Sequence, residues 1–127
     1  MEELIDTEDE LAKAKQRSSF SHALRGIVLF LKTTRNAWIE FGVMVCATIA
    51  GLVFHITQIE WMMIVIVSGL VFTAEAFNTA MEIDMNLTSP TYHPYARDTK
   101  DVAAGAVLIA ALIAGIVGCI IFIPYIL

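Results

Sequence analysis

The chain alternates between polar segments and long apolar runs. Three apolar runs cover roughly residues 40–59, 61–83 and 102–127, and each approaches or exceeds the about 20 residues that a helix needs to cross the hydrocarbon core. The pattern therefore predicts three transmembrane helices. Only a few residues around 57–60 separate the first two runs, which predicts a tight helical hairpin. Polar residues 84–101, which include Pro90 and Pro94, predict a longer loop between the second and third helices.

A further helix is predicted ahead of the three spans. Apolar side chains recur at mostly helical spacing in residues 17–34, while Arg17, Arg25 and Lys32 lie on or near the other side. This arrangement favours an amphipathic helix in the membrane interface. A helix that merely packs on the bundle is an equally good interpretation, and the two do not exclude each other.

The first sixteen residues have a different character. They contain little apolar surface, two lysines and six acidic residues: Glu2, Glu3, Asp6, Glu8, Asp9 and Glu10. Such a composition predicts a solvated, disordered tail at residues 1–16, followed by a membrane-embedded domain at residues 17–127. The segment also lacks the basic start and apolar core of a signal peptide, so no cleavage is expected.

Composition supports an integral membrane protein with a single domain. Of the 127 residues 57% are hydrophobic, and the mean hydropathy is +0.71, whereas soluble domains contain about 45–50% apolar residues. Cys46 and Cys119 each lie within an apolar run. Their placement indicates neither a disulfide nor a metal site.

The basic residues predict the orientation in the membrane. No Lys or Arg occurs in the connection between the first two spans, and none occurs at the C-terminus. Basic residues instead precede the first span and occupy the second connection: Arg17, Arg25, Lys32, Arg35, Arg97 and Lys100. By the positive-inside rule, the N-terminus and residues 84–101 are cytoplasmic.

Three polar residues interrupt the second span. Glu75, Asn78 and Glu82 are separated by three and four positions, so they share one face of a helix. An acidic side chain at bilayer depth costs at least about 2.5–3.5 kcal/mol on insertion scales. A buried carboxylate can take a proton from a hydroxyl, and one near the aqueous edge can bind a divalent cation. The residues by themselves also allow a second interpretation, an interhelical hydrogen-bond network that only holds the bundle together.

The second connection carries groups that suit a polyphosphate. It gathers His93, Arg97, Lys100 and Asp101 beside turn-forming residues, and Mg²⁺ usually bridges phosphates and one or two carboxylates. Each of these residues is a weak signal when taken alone. The chain has no Gly-rich phosphate loop and no protein-kinase catalytic loop. A phosphotransferase built on this sequence would belong to an unusual class.

Three segments together resemble a known family. They are residues 75–82 (EAFNTAME), residues 89–94 (SPTYHP) and residues 99–108 (TKDVAAGAVL). Through these segments the chain resembles the small integral-membrane prokaryotic diacylglycerol kinases, over a region from about Phe20 to the C-terminus. The second and third segments are closer to the undecaprenol kinase branch of that family.

The resemblance implies a fold and an activity. The expected fold is an all-α homotrimer of three-span subunits, each with an N-terminal amphipathic surface helix, and with active sites built between subunits. The expected reaction transfers the γ-phosphoryl group of ATP, with Mg²⁺, to a lipid alcohol. Undecaprenol is the favoured acceptor and diacylglycerol the alternative. The expected location is the bacterial inner membrane with a cytoplasmic N-terminus, and no nucleic-acid partner is expected.

The resemblance also implies roles for individual residues. Glu75 matches the catalytic base of the family, and Glu82 matches a carboxylate that binds both metal and nucleotide. The complete set of implied nucleotide-binding residues is His22, Asn78, Glu82, Thr91, Tyr92, His93, Lys100 and Asp101.

Two positions depart from the family pattern. Thr34 stands where a second metal-binding Glu is usual, and Asn86 stands where an Asp is usual. The metal could then be bound more weakly, use Glu40 or Asp84, or rely on Glu82 and the phosphates. Two alternatives to a lipid kinase follow: a catalytically degenerate relative that acts as a lipid-binding or assembly protein, and a small proton or ion carrier built on the acidic face.

Overall fold

The computed structural model describes residues 2–127, apart from the side chains of residues 2–6 and 17. Within this range the chain folds into helices only, with no strand. The helices are α1 (Glu2–Thr33), α2 (Arg35–Phe54), α3 (Gln58–Thr88) and α4 (Pro94–Ile126). Helices α2, α3 and α4 are each long and apolar enough to cross a membrane. The prediction of three spans in an all-helical chain is therefore confirmed.

Helix α1 forms a unit of its own, separate from the compact unit of residues 34–127. It differs from the sequence prediction, because residues 2–16 are helical and not a disordered tail. This segment has no Gly or Pro and is rich in Glu, Leu, Ala and Lys, which are good helix formers. Lys13 also pairs with Glu10 one turn earlier, at 3.0 Å. Local propensity and such pairs therefore allow one helix to run through both predicted segments.

A tight turn at His55–Thr57 joins α2 to α3, as the short connection predicts; we call this the hairpin end of the bundle. Helix α2 ends at Phe54, five residues before the predicted boundary. His55 closes it in the left-handed conformation (φ 51°, ψ 50°), with its backbone N–H bonded to the carbonyl of Gly51. Thr57 then starts α3 through a reciprocal cap: its hydroxyl accepts from the Glu60 N–H, and its own N–H donates to Glu60 Oε2 at 2.7 Å.

The connection between α3 and α4 is much shorter than predicted. Helix α3 continues to Thr88 and α4 begins at Pro94, so only residues 89–93 form the turn; we call this the site end of the bundle. Pro94 occupies the first turn of α4, where a backbone N–H is not needed. The side chain of His93 caps the same helix by accepting from Tyr95 N at 3.2 Å. The two prolines thus limit the non-helical turn to residues 89–93, and the rest of the polar segment 84–101 is helical.

Contacts at the hairpin end join all three spans. Ile56, Ile64 and Ile121 form a small buried cluster, with Trp61 and Phe122 packed against it. The Tyr125 hydroxyl of α4 donates to Glu60 Oε2 of α3 at 2.8 Å. The Tyr125 ring also stacks on Phe54 of α2, with 5.8 Å between ring centroids. One end of the bundle is therefore fixed by shape and by hydrogen bonds together.

Most apolar side chains of the three spans point outward. Val65 and Leu70 of α3 and Ile109 and Ile116 of α4 are examples of large hydrophobic residues that this chain leaves exposed. Such a surface is stable only against lipid or another protein chain. Helices of 31 and 33 residues are also longer than the about 20 residues that cross the hydrocarbon core. The ends of α3 and α4 therefore reach beyond it.

Gly51 provides a test of the hairpin end. A Cβ atom at this position would lie 2.7 Å from Cη2 of Trp61, so Gly51→Ala should lower the free energy of unfolding by about 1–3 kcal/mol, as overpacking does. The measurement is reversible unfolding in mixed detergent micelles. Gly42→Ala is the matched control, because Gly42 lies in the same helix and nothing lies within 4 Å of its added Cβ. Equal stability of the two variants would contradict the proposed close packing.

Candidate functional site

The polar face of α3 runs from the interior of the bundle to its surface. Glu75 is 2% exposed and is the one charged residue that is buried among those whose burial is described. Asn78 is half-buried and Glu82 is exposed. The side-chain amide of Asn78 donates to Glu82 Oε1 at 3.3 Å. The helical spacing thus places one carboxyl in an apolar environment and a second one at the edge, as the sequence predicts.

Helix α2 supplies polar partners for this face. Asn36 Nδ2 donates to Glu75 Oε1 at 3.3 Å. The hydroxyl groups of Thr34 and Thr79 share a hydrogen bond of 2.7 Å. The carboxyl group of Glu40, four residues after Asn36, interacts electrostatically with that of Glu75. Three positions near the start of α2 therefore meet the polar face of α3.

Sequence reasoning missed Asn36 and assigned Glu40 only as an alternative metal ligand. A signal for both residues exists in the chain, because Asn36 and Glu40 are four positions apart and share one face of α2. The predicted start of the first span, at residue 40, left Asn36 outside the helix and so hid this relationship. Helix α2 in fact begins at Arg35.

Two buried oxygen atoms in this region have no hydrogen-bond partner among the described residues: Asn78 Oδ1 and Glu40 Oε2. A buried acceptor without a donor costs about 1–3 kcal/mol. Such atoms are common where a protein binds a ligand or another chain that supplies the donor. The polar face of α3 is therefore incomplete within this single chain.

Lys100 brings α4 to the end of the same face. Its Nζ donates to Asn86 Oδ1 at 2.7 Å, and Asn86 lies four residues after Glu82, so it extends the polar face by one helical turn. This contact bridges the turn at residues 89–93. A cation thus stands at the site end of the acidic face. Asp101, the next residue of α4, is exposed.

The three predicted nucleotide-binding residues of the turn are solvent-exposed: Thr91, Tyr92 and His93. Tyr92 Oη accepts from Arg97 Nη1 at 3.3 Å, and Ser89 Oγ donates to the Thr91 carbonyl at 3.1 Å. Their hydrogen bonds therefore stay within the turn and the first turns of α4. His22 lies in α1, which forms the separate unit.

Two largely apolar cavities adjoin the polar face. One, of about 690 Å³, lies between α3 and α4 and is lined by Asn78, Thr99 and Asp98 among mostly apolar side chains. The other, of about 540 Å³, lies between α2, α3 and α4, and its polar lining is provided by Glu40 and Ser68. Both are large enough for part of an apolar ligand. The second cavity is the one that Glu40 lines.

Asn78 and Thr79 provide a test of which contacts hold the bundle together. Thr79→Val leaves the Thr34 hydroxyl without its partner and should lower the free energy of unfolding by roughly 0.6–1.7 kcal/mol, as interhelical hydrogen bonds in membranes do. Asn78→Ala removes an unpartnered buried oxygen and should leave stability equal or higher. Unfolding in mixed micelles measures both. A larger loss for Asn78→Ala would show that Asn78 is a structural residue.

Comparisons with known proteins agree on one family. The sequence profile described as prokaryotic diacylglycerol kinase matches residues 21–122, from within α1 to within α4. The chain is 40% identical over 106 residues to the undecaprenol kinase of Bacillus subtilis, covering 84% of this chain and 86% of that protein. It is 37% identical over 107 residues to the diacylglycerol kinase of a Synechocystis species, covering 84% of this chain and 61% of that longer protein. No solved structure matches the chain.

Proposed function

Because this chain belongs to the prokaryotic diacylglycerol kinase family, we propose that it transfers the γ-phosphoryl group of ATP to the hydroxyl of undecaprenol. It is a multi-pass membrane protein by its three apolar helices, and it is an alcohol phosphotransferase, because its relatives are named as kinases of lipid alcohols. Undecaprenol is preferred because the relative of that name is matched over 86% of its length. Diacylglycerol, the acceptor named in the other relative, is the second candidate.

The burial of Glu75 is the observation that carries the proposal. A carboxyl that is 2% exposed in an apolar bundle costs stability, and ionisable residues in such places usually have a function. It also lies one turn from Asn78 and two turns from the exposed Glu82, so a base and a cation-binding carboxylate share one helix face. Glu75 accepts the proton of the lipid hydroxyl while the oxygen forms its bond to the γ-phosphorus and the bond to ADP breaks.

The approach of the lipid follows from the cavity between α2, α3 and α4. Its lining is apolar except for Glu40 and Ser68, so it suits a hydrocarbon tail, and Glu40 is the polar group that lies beside Glu75. Asn36 holds Oε1 of Glu75 at 3.3 Å and so fixes the orientation of the carboxyl group. A lipid tail in this cavity brings its hydroxyl toward the buried base.

The nucleotide occupies the site end in this proposal. Lys100 offers a cation for the phosphates, together with Asp101 and the turn residues Thr91, Tyr92 and His93. The role of His22 of α1 in nucleotide binding stays a prediction. Asn78 holds one oxygen of Glu82, and this oriented, exposed carboxylate is suited to bind nucleotide-bound Mg²⁺. Within the described residues no group of three or more His, Cys, Asp or Glu could hold a metal ion.

The donor set fits a magnesium ion that arrives with ATP. Mg²⁺ usually takes one or two carboxylates, with phosphates and water as its other ligands, and the exposed carboxylate of Glu82 meets that requirement. The Thr34 hydroxyl is engaged by Thr79 at 2.7 Å, so it is not assigned to the metal. When bound, the ion would neutralise charge on the transferring phosphoryl group.

The remaining features extend the same proposal. Phe20, Leu24 and Ile27 of α1 are exposed, which suits a surface helix in the membrane interface. The outward apolar surface and the unpartnered Asn78 oxygen support a homotrimer whose neighbouring subunits complete each site. The distribution of Lys and Arg supports a cytoplasmic N-terminus, and the proposed location is the bacterial inner membrane.

One observation favours a second candidate, a catalytically degenerate relative that binds lipid or assists assembly. The chain has Thr34, whose hydroxyl is already bonded, where the resemblance implies a metal-binding Glu. Binding of ATP to the purified protein, titrated with and without Mg²⁺, separates the two. A lipid kinase requires Mg²⁺-dependent binding, whereas its absence supports the degenerate candidate.

Phosphoryl transfer from labelled ATP tests the proposed kinase. Purified protein with MgATP in vesicles that contain undecaprenol, diacylglycerol or ceramide should phosphorylate undecaprenol fastest. Glu75→Gln should lower that rate by about 10²–10⁴-fold, because an amide cannot accept the proton. Glu60→Gln is the matched control, since Glu60 lies in the same helix at the hairpin end and serves a cap; it should retain activity. Near-normal turnover of Glu75→Gln would refute the role of Glu75 as the base.

A further inference from the structure

The cavity between α2, α3 and α4 has a definite length. It runs along α2 from Ile39 to Ala50 and along α4 from Ala111 to Phe122. Each stretch covers about 16 Å at the helical rise of about 1.5 Å per residue, which is roughly half of the about 30 Å hydrocarbon core of a bilayer. The cavity therefore holds a hydrocarbon segment about as long as one leaflet is thick.

The two ends of the cavity differ. Ile64 and Phe122 line it toward the hairpin end, where both belong to the cluster that joins the spans. Glu40 lines it near the site end, and Oε2 of this residue is buried with no hydrogen-bond partner among the described residues. The hydroxyl of an alcohol supplies the missing donor. A lipid alcohol in the cavity therefore lies with its hydroxyl near Glu40 and its tail toward Phe122.

One side of the cavity is open. Ile39 and Val43 line it, yet these residues are 62% and 65% exposed. Their exposed surface is part of the apolar outer surface of the spans, so the opening leads into the bilayer. A chain longer than the cavity leaves through this side. Only the part of the chain next to the hydroxyl is then in contact with the protein.

The width of the cavity limits what can occupy it. Its volume of about 540 Å³ over a length of about 16 Å corresponds to a mean cross-section of roughly 34 Å², or a width of about 6.5 Å. A helix with its side chains is about 10–12 Å across, so it is too wide to fill this space. Carbon atoms of adjacent chains pack about 4 Å apart, so two straight chains side by side need about 8 Å.

A single methyl-branched chain fits this width best. A straight chain about 4 Å wide leaves a gap of more than about 1 Å on each side, and a gap of about 0.5–1 Å already forfeits a quarter to a half of the dispersion energy. A methyl branch extends the chain by a carbon–carbon bond of about 1.5 Å and closes most of that gap. Small residues leave room for such branches along the walls: Ala47, Ala50, Ala111, Ala114, Gly115 and Gly118.

We propose that this cavity selects the acceptor by the shape of its chain: it binds the hydroxyl-proximal part of one methyl-branched chain and excludes paired acyl chains. The inference rests on the proposed kinase function. It deepens that function, because it favours isoprenoid alcohols over diacylglycerol on the dimensions of the protein itself.

Phytanol and hexadecanol provide a matched test. Both are saturated primary alcohols with the same backbone length, and only phytanol carries methyl branches. At equal mole fractions in vesicles with labelled MgATP, phytanol should be phosphorylated with a kcat/KM at least about tenfold higher, because two or more buried methyl groups distinguish it. Equal kcat/KM values for the two alcohols would overturn the inference.

Cys46 provides a readout of binding that needs no turnover. It lines the cavity and is exposed, whereas Cys119 is exposed but does not line the cavity. Phytanol at saturation should slow the reaction of Cys46 with N-ethylmaleimide at least about fivefold in the Cys119→Ser protein, and hexadecanol should slow it much less. The labelling of Cys119 in the Cys46→Ser protein should not change with either alcohol.

Gly115→Leu should block the cavity without disturbing the helices. Gly115 lines the wall, and nothing lies within 4 Å of an added Cβ, so the larger side chain takes space that the lipid would occupy. The kcat/KM for undecaprenol should fall at least about tenfold, and phytanol should no longer protect Cys46. Gly69→Leu is the matched control, because Gly69 also lies within a span, has the same free space and lines neither cavity.

Three further results would overturn the inference: equal protection of Cys46 by the two alcohols, no protection by either, or equal kcat/KM for Gly115→Leu and Gly69→Leu. If Cys46 reacts only after the protein is diluted, a second copy covers the cavity and the inference is wrong. Failure of the proposed function is a separate result: a protein that transfers no phosphate but whose Cys46 is protected by phytanol binds the alcohol without being a kinase. Thermal unfolding of each variant in detergent identifies loss of folding as a cause of lost activity.

Discussion

The organisation of this protein depends on one requirement, that a carboxyl group enclosed by apolar helices must find its hydrogen-bond partners within the protein. Glu75 meets that requirement through Asn36, across the interface between α2 and α3. The bond explains why α2 begins before the apolar run does, since its first two turns must be helical to present Asn36 and Glu40 on one face. It also explains why polar residues cluster at one end of the bundle, while the other end is held by apolar and aromatic contacts.

The two ends of α3 illustrate different uses of the same residue type. Glu60 at the hairpin end is half-buried, and its Oε2 accepts hydrogen bonds from Thr57 and Tyr125, so this carboxylate helps to hold the fold. Glu75 lies in a crowded site beside another acidic group, and Glu82 is exposed and held by one amide. Surroundings, and not residue identity, separate a structural carboxylate from those suited to chemistry.

Much of the fold follows from local pattern, and the rest depends on contacts between distant parts of the chain. Hydropathy identified the three spans, and helical spacing placed Glu75, Asn78 and Glu82 on one face. The span boundaries were wrong where capping decides them, at His55 and Thr57 and again at His93 and Pro94. The partnership of Asn36 with Glu75 joins residues 39 positions apart, which no local period encodes. The roles of the turn residues, of His22 and of Lys100 in nucleotide binding remain predictions.

The two ends of the bundle hold α2 and α3 together by different contacts, so α2 can tilt about one end. At the hairpin end, Gly51 packs against Trp61 and Tyr125 donates a hydrogen bond to Glu60, and these contacts form the pivot. At the site end, α2 and α3 meet through the side chains of Asn36, Thr34 and Glu40. Helix α2, at about 1.5 Å per residue, is roughly 30 Å long. A tilt of about 5° around the pivot would thus move its tip by roughly 2.6 Å, which is enough to break the bond to Glu75. A small rocking motion can therefore open the buried carboxyl without unfolding any helix.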